Sequence, residues 1–367
     1  MELPTDSQNK TERNTRIIIV LLGIICVFLF ARALHNGGSI IIPFILAGFL
    51  LYILNPIIDF FERLKVPSGL AVLLSLITTF SVLIFLGAVI NDSIQSFVVE
   101  FPKYENRLHE LTTRAVEVLN VAPVDSAEVA EGNEAVRLSD IFENLSVSVL
   151  LRNVVRAVGS FLSSMVMVLV IMLFMLGGRN QLKQKIKLAF KPSTSERISS
   201  IVSNMNTQIQ QYLVMKTVVS LLTTALVVIV MLFFGLEFVV IWAVLTFMLN
   251  FIPTVGSIVA VLLPLSLALI QFDSVATVGW LGLCLFAAQF SIGQVLDPKL
   301  VGKRINLSPV VILFALIFWG AMWGIVGMIL AVPLMVVAKI IFENVEELRF
   351  LSVLMSSAPS SEPVLTE

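Results

Sequence analysis

Residues 238–270 read FVVIWAVLTFMLNFIPTVGSIVAVLLPLSLALI, 33 positions without a formal charge. As one straight helix this stretch would run about 50 Å, well beyond the roughly 30 Å hydrocarbon core of a bilayer. Two full crossings with a turn need about 40 residues or more, so neither simple reading fits. The stretch also carries its own breaks, with Pro253, Gly256 and Pro264 placed after Asn250. Proline removes a backbone donor and clashes with the preceding turn, which ends or kinks a helix. A re-entrant hairpin bent near residues 250–256 is therefore expected. Non-helical backbone at membrane depth is tolerated only where protein buries it or water reaches it, which makes the bend a functional candidate. Residues 309–338 pose the same question, with 30 uncharged positions that include Gly320, Gly324, Gly327 and Pro333. They read either as one long tilted span or as a second hairpin turning near residues 320–324. Trp319 and Trp323 suit either an interfacial belt or a hairpin tip.

The rest of the chain supplies the setting. Of 367 residues, 57% are hydrophobic and 13% charged, with a mean hydropathy of +0.98. Soluble domains run near 45–50% and about 25%, so this chain has too little polar surface to clothe a core in water. An all-α, polytopic membrane protein is expected. Further apolar runs cover residues 17–34, 40–58, 69–90, 157–178, 217–234 and 275–293. The first follows Lys10, Arg13 and Arg16 in the manner of a signal peptide, yet with spans following at once it serves equally as a retained first span.

Loops rich in Lys and Arg stay cytoplasmic. Four qualify: the tail 1–16, the Arg63 and Lys65 loop, residues 179–205 with Arg179, Lys183, Lys185, Lys187, Lys191 and Arg197, and the Lys299, Lys303 and Arg304 loop. The resulting layout is three spans in 17–90, an extracytoplasmic helical segment at 91–152, a C-terminal membrane region at 153–342 and a tail at 343–367. Parity returns the chain to the cytoplasm before Lys299 only if 238–270 doubles back, entering from the outer face. A hairpin at 309–338 would enter from the cytoplasm. The external segment is acid-rich, and its Leu108, Leu111, Ala115, Val118 and Leu119 recur at helical spacing. Asp140 with Glu143 has the spacing of a capping box.

Several function classes drop out. The net charge of -1 gives no basic excess for nucleic acid. No phosphate-binding glycine loop precedes a Lys-Ser/Thr pair, and two histidines, His35 and His109, provide neither a zinc site nor a serine–histidine pair on facing spans. No enzyme, metal or cofactor is implied. The polar residues at membrane depth carry what chemistry there is, because polar groups in hydrocarbon are costly unless they face a bundle interior or a solute path. Asp297 follows a long apolar run, where a carboxylate can bind a cation or take a proton; alternatively it turns the chain before Pro298 and pairs with Lys299. Asn250 and Thr254 either line a path or satisfy backbone freed by Pro253, and Asn306 is a weaker pathway candidate. Pro253, Gly256, Gly320 and Gly324 are the candidate hinges.

Taken in order, residues 42–44 (IPF), 54–56 (LNP), 249–257 (LNFIPTVGS), 297–302 (DPKLVG), 307–309 (LSP), 318–328 (FWGAMWGIVGM) and 331–334 (AVPL) resemble the autoinducer-2 exporter family of bacterial membrane proteins. The resemblance implies about eight membrane passes in the bacterial cytoplasmic membrane and a permease activity. Members are linked to export of the autoinducer-2 signal and others to sodium(lithium)/proton antiport, so the family does not fix the substrate. The leading expectation is a secondary transporter of a small polar solute or of a monovalent cation in exchange for protons. Membrane lipid is its other partner, and a homo-oligomer is compatible. The contrasting expectation is a non-transporting membrane scaffold acting through the external segment.

Overall fold

A computed structural model describes residues 6–118, 164–178, 184–296 and 306–357, and the elements it forms there are helical. Helix α1 (Asp6–Asn36) turns at Gly37 into α2 (Gly38–Arg63). Next come α3 (Ser68–Val118) and α4 (Ser164–Gly178). Helix α5 (Pro192–Phe234) precedes the short pair α6 (Val239–Leu249) and α7 (Val255–Gln271). Helix α8 (Val275–Phe290) runs on into a π-turn at Ser291–Leu296. Helix α9 (Pro309–Asn344) is broken in the middle, and α10 (Arg349–Met355) ends the fold. Large apolar side chains such as Phe174 and Phe233 project outward, 76% and 83% exposed, where only lipid can cover them favourably. The chain is a multi-pass, all-α membrane protein.

Five helical stretches are long and apolar enough to cross a membrane among the described residues, α9 included. Length misleads for α9. Trp323 (φ -132, ψ 17) and Gly324 (φ 63, ψ -142) leave helical backbone. Across this break Ala315, Leu316 and Ile312 pack with Ala331, Met328 and Met335. The two arms therefore run antiparallel, and of the two readings of 309–338 the structure shows the reversal.

Three boundaries differ from the sequence layout. No element ends at residue 90, because α3 runs unbroken to Val118. Its 51 residues extend about 75 Å, so one end stands clear of any bilayer. The apolar stripe that sustains it continues through Ile94, Phe97 and Tyr104, which pack on the α5–α6 junction around Phe238. The basic loop at 179–205 is helical at 184–189 and again from Pro192, a residue whose missing N–H costs nothing at the first helical position. Ile201 and Met205 hold this part down by packing against the α9–α10 cluster. The tail at 343–367 folds back as far as Ser357. Met355 is buried beside Leu307, Val336 and Ile340, and its carbonyl accepts the Ser308 N–H at 2.8 Å. Residues 121–132, Asp140, Glu143 and Asp297 lie outside the described residues.

Candidate functional site

The α6–α7 pair is a hairpin whose reversal occupies residues 250–254. Asn250 closes α6 by donating its N–H to Thr246, and Phe251 and Ile252 donate to Met248 and Leu249 in tighter turns. Thr254 then takes φ 62 and ψ -60, with the Val255 N–H on the Pro253 carbonyl at 2.6 Å. That is the rarer, strained hand of the γ-turn, and a threonine held there costs about 1–3 kcal/mol unless its surroundings enforce it. Gly256 does a different job. A Cβ there would fall on the backbone carbonyl of Leu249, so the residue is small because the two arms touch. The bend therefore resides at Thr254, with Pro253 before it and Gly256 permitting the approach.

The α9 reversal repeats this arrangement. A Cβ on Gly327 would fall on the Trp319 carbonyl, while one on Gly320 would press on the Met328 side chain at 2.9 Å. Gly324 supplies the positive φ. Gly327, not singled out from sequence as a hinge, is the closer counterpart of Gly256. The α9 tip is fastened to the α1–α2 turn: Trp323 Nε1 donates to the Leu34 carbonyl at 3.0 Å and His35 Nδ1 donates to Met322 at 2.9 Å. Trp319 and Trp323 lie 4.8 Å apart at this tip.

The two hairpins meet. Ile252, at the first tip, is buried among Ala315, Leu316 and Ala331 of both α9 arms. Asn250 is also buried, and its Nδ2 donates to Ser220 Oγ of α5 at 3.0 Å. The feet of the first hairpin are tied at the other end. Gln271 receives the Glu237 N–H and donates to the Gly235 carbonyl, while Tyr104 and Lys103 of α3 reach Glu237 and Arg107 reaches Asp273. Burial pushes the Glu237 carboxyl above its ordinary value, with Lys103 opposing and Glu100 reinforcing.

Two cavities lie in the bundle, the smaller beside the first tip. One of about 130 Å³ is wholly apolar, between Leu50, Ile53, Leu213, Phe247, Phe251 and Leu330. The other, about 670 Å³, opens where α2, α3, α4 and α5 end, and its polar lining comprises Asp59, Glu62, Ser68, Ser199, Ser203 and Asn206. Between them lies a cluster of Phe49, Tyr52, Ile53, Ile209, Tyr212, Leu213 and Val332. Tyr52 ties it across, its hydroxyl donating to Asn206 Oδ1 at 2.5 Å. The serines of this vestibule recur at helical spacing on α5, but inside a basic segment they read from sequence as ordinary solvated surface.

Of the sequence candidates, Asn250 and Thr254 come together at the first tip. Asn306 is elsewhere, at the foot of α9. Its carbonyl accepts from the buried Lys339 at 2.9 Å, and its Oδ1 accepts from the N–H and hydroxyl of Ser357. With φ 39 it fastens the C-terminal segment.

A multi-pass membrane protein with two broken-helix hairpins packed tip against arm belongs structurally with permeases. The family model for AI-2E family transporters matches residues 17–347, and the chain belongs to that family of membrane transport proteins. It is 33% identical over 347 residues to a protein of Borreliella burgdorferi, covering 94% of this chain and 92% of the relative. It is 28% identical over 342 residues to the AI-2 transport protein TqsA of Escherichia coli, covering 92% and 95%. A Bacillus subtilis relative is 23% identical over 346 residues, covering 90% and 91%.

Proposed function

We propose that this chain is a secondary transporter of the bacterial cytoplasmic membrane that moves a small polar solute, of which the autoinducer-2 signal is one instance, or a monovalent cation in exchange for protons. The observation that carries the reading is a pair of helix reversals within the bundle, the tip of the first packed on the arms of the second. Reversed backbone in a bilayer must be buried in protein or wetted, and transporters use such breaks to build sites near the midplane. The relative that is an AI-2 transport protein supports the solute branch. In this reading residues 238–270 enter from the outer face, 309–344 from the cytoplasmic face, and the α3 extension stands outside. The 670 Å³ vestibule is then the cytoplasmic mouth, closed by the Tyr52 cluster. Asn250 and Thr254 line the path, and Asp297 carries the coupling proton or ion.

The test is flux in proteoliposomes, with autoinducer-2 and with sodium or lithium, with and without a proton gradient. Asp297→Asn should abolish coupled flux while inserting normally, since shape is kept and charge lost. Asn250→Ala should weaken flux less, because water can replace part of the amide's hydrogen bonding. Wild-type flux in a well-inserted Asp297→Asn protein would remove Asp297 from the pathway.

A further inference from the structure

Where α5, α6 and α8 face one another, the buried stripe changes character at one depth. Towards the Gly235 and Gln271 end it is apolar, with Val227 and Met231 of α5, Trp242 of α6 and Leu281 and Leu285 of α8. Deeper, it becomes Ser220, Thr223 and Thr224 on α5, Thr246 and Asn250 on α6 and its cap, and Gln289 on α8. The bond between Asn250 and Ser220 sets the register of the antiparallel pair. One turn back along α6 and one turn on along α5, Thr246 and Thr224 then fall opposite each other. Gln289 continues the α8 stripe one turn beyond Leu285. It lies about 21 Å below the start of α8, and Ser220 lies about 21 Å below the end of α5. The Gln271 bond to Gly235 ties the end of α5 to the end of α7, four residues before α8 begins.

These polar groups are not there to satisfy one another. Thr224 Oγ1, Thr246 Oγ1 and Gln289 Nε2 are buried without a hydrogen-bond partner, and Thr246 and Gln289 are only 1% and 5% exposed. Leaving such groups unpaired costs about 1–3 kcal/mol each, so three within about one helical turn of depth is a large standing penalty for a merely structural feature. Binding sites accept such costs because the ligand repays them.

We propose that Thr224, Thr246, Gln289 and the hydrogen-bonded pair of Asn250 and Ser220 form an occluded site for a small uncharged polyhydroxylated solute. This rests on the transporter reading and narrows its substrate class. The chemistry of the unpaired atoms makes the choice. The amide nitrogen of Gln289 only donates, so its partner must offer lone pairs, which a bare cation lacks. The threonine hydroxyls both donate and accept, as alcohol groups on a ligand do. The buried charges among the described residues are Lys216 and Lys339, both positive, so no buried carboxylate there awaits a cation. Phe247, Met248 and Phe251 of the same hairpin face the apolar cavity instead, so access to the layer requires the tip to part from its neighbours.

The experiment uses the full chain in proteoliposomes, with radiolabelled erythritol and ribitol against sodium and lithium. The polyols should cross faster than in protein-free vesicles. Thr246→Val and Gln289→Leu should each lower that flux about tenfold, the worth of one hydrogen bond to a buried partner. Thr246→Ser, which keeps the hydroxyl, should retain most of it. Without solute, purified Thr246→Val should melt at or above wild type, because an unpaired buried hydroxyl has been removed. Sodium or lithium flux without polyol flux would overturn the inference and leave the transporter reading standing. Flux of neither would overturn the inference, and the absence of autoinducer-2 flux as well would overturn both. Unchanged polyol flux in Thr246→Val and Gln289→Leu would show that trapped water alone answers these groups.

Discussion

Gly256→Ala is the sharpest test of the first reversal. The added methyl would coincide with the Leu249 carbonyl oxygen and carbon, and the next neighbour is Ile252 Cβ at 3.1 Å. Overpacking against side chains that can rotate costs about 1–3 kcal/mol. Here the obstacle is backbone, so relief means opening the hairpin. Opening loses the bond from Asn250 to Ser220, about 1 kcal/mol, and much of the burial of Ile252, about 2 kcal/mol. A total of about 3 kcal/mol follows. Gly279→Ala on α8 is the matched control, since its Cβ meets nothing within 4 Å and alanine favours helix by about 1 kcal/mol. A thermal melt in detergent followed with a thiol-reactive dye suits both, because half-buried Cys284 of α8 reports unfolding once exposed Cys26 is replaced by serine. At about 2 °C per kcal/mol for a chain of this size, Gly256→Ala should melt about 6 °C below wild type. Gly279→Ala should be unchanged or slightly higher. A Gly256→Ala loss under about 2 °C would show that the arms have room to spare, and the account of a tight reversal would fail.

At Glu237 burial raises the carboxyl pKa, so the folded protein binds the proton more readily than the unfolded chain. Stability should therefore rise as pH falls towards the ordinary value of 4.5 and decline as pH rises through the elevated one. Glu237→Gln should flatten that slope in melts across the acid range, and an unchanged slope would assign it to other groups. Single cysteines at Asp273 and Lys187 should label from opposite sides of the membrane with an impermeant reagent, Asp273 from outside; labelling from one side would break the proposed orientation. Tyr52→Phe removes the tie to Asn206, and proteoliposomes should then leak solute faster without a gradient, whereas tight vesicles would acquit the Tyr52 cluster as a closure. Asn306→Ala should loosen the C-terminal segment, read as faster proteolysis after Arg349 with flux retained; lost flux at normal stability would return Asn306 to the pathway.

What could be read from sequence follows from the range of the forces involved. The reversal at residues 250–254 was legible because its causes are local: a proline, a small residue and a run too long for one crossing and too short for two. The continuity of α3 was not, because nothing within residues 91–118 reveals that Phe97 and Tyr104 will find Phe238. The same holds for the folded-back tail, which depends on Met355 reaching Leu307 and Val336. The candidate site divides along this line. Asn250 stood out beside its proline, and Asn306 looked alike because an amide near an apolar run has the same local signature whether it faces a path or ties down a loop. Thr224 and Thr246 were invisible for the opposite reason. A threonine inside an apolar helix ordinarily returns its hydroxyl to the carbonyl four residues back, as Thr223 does here to Val219, and so carries no message. Only the packing of three helices shows that Thr224 and Thr246 leave that bond unmade, about one turn from the depth of an unpaired amide. A polar residue in a membrane helix thus becomes evidence of function when the structure shows it declining the partner its own helix offers.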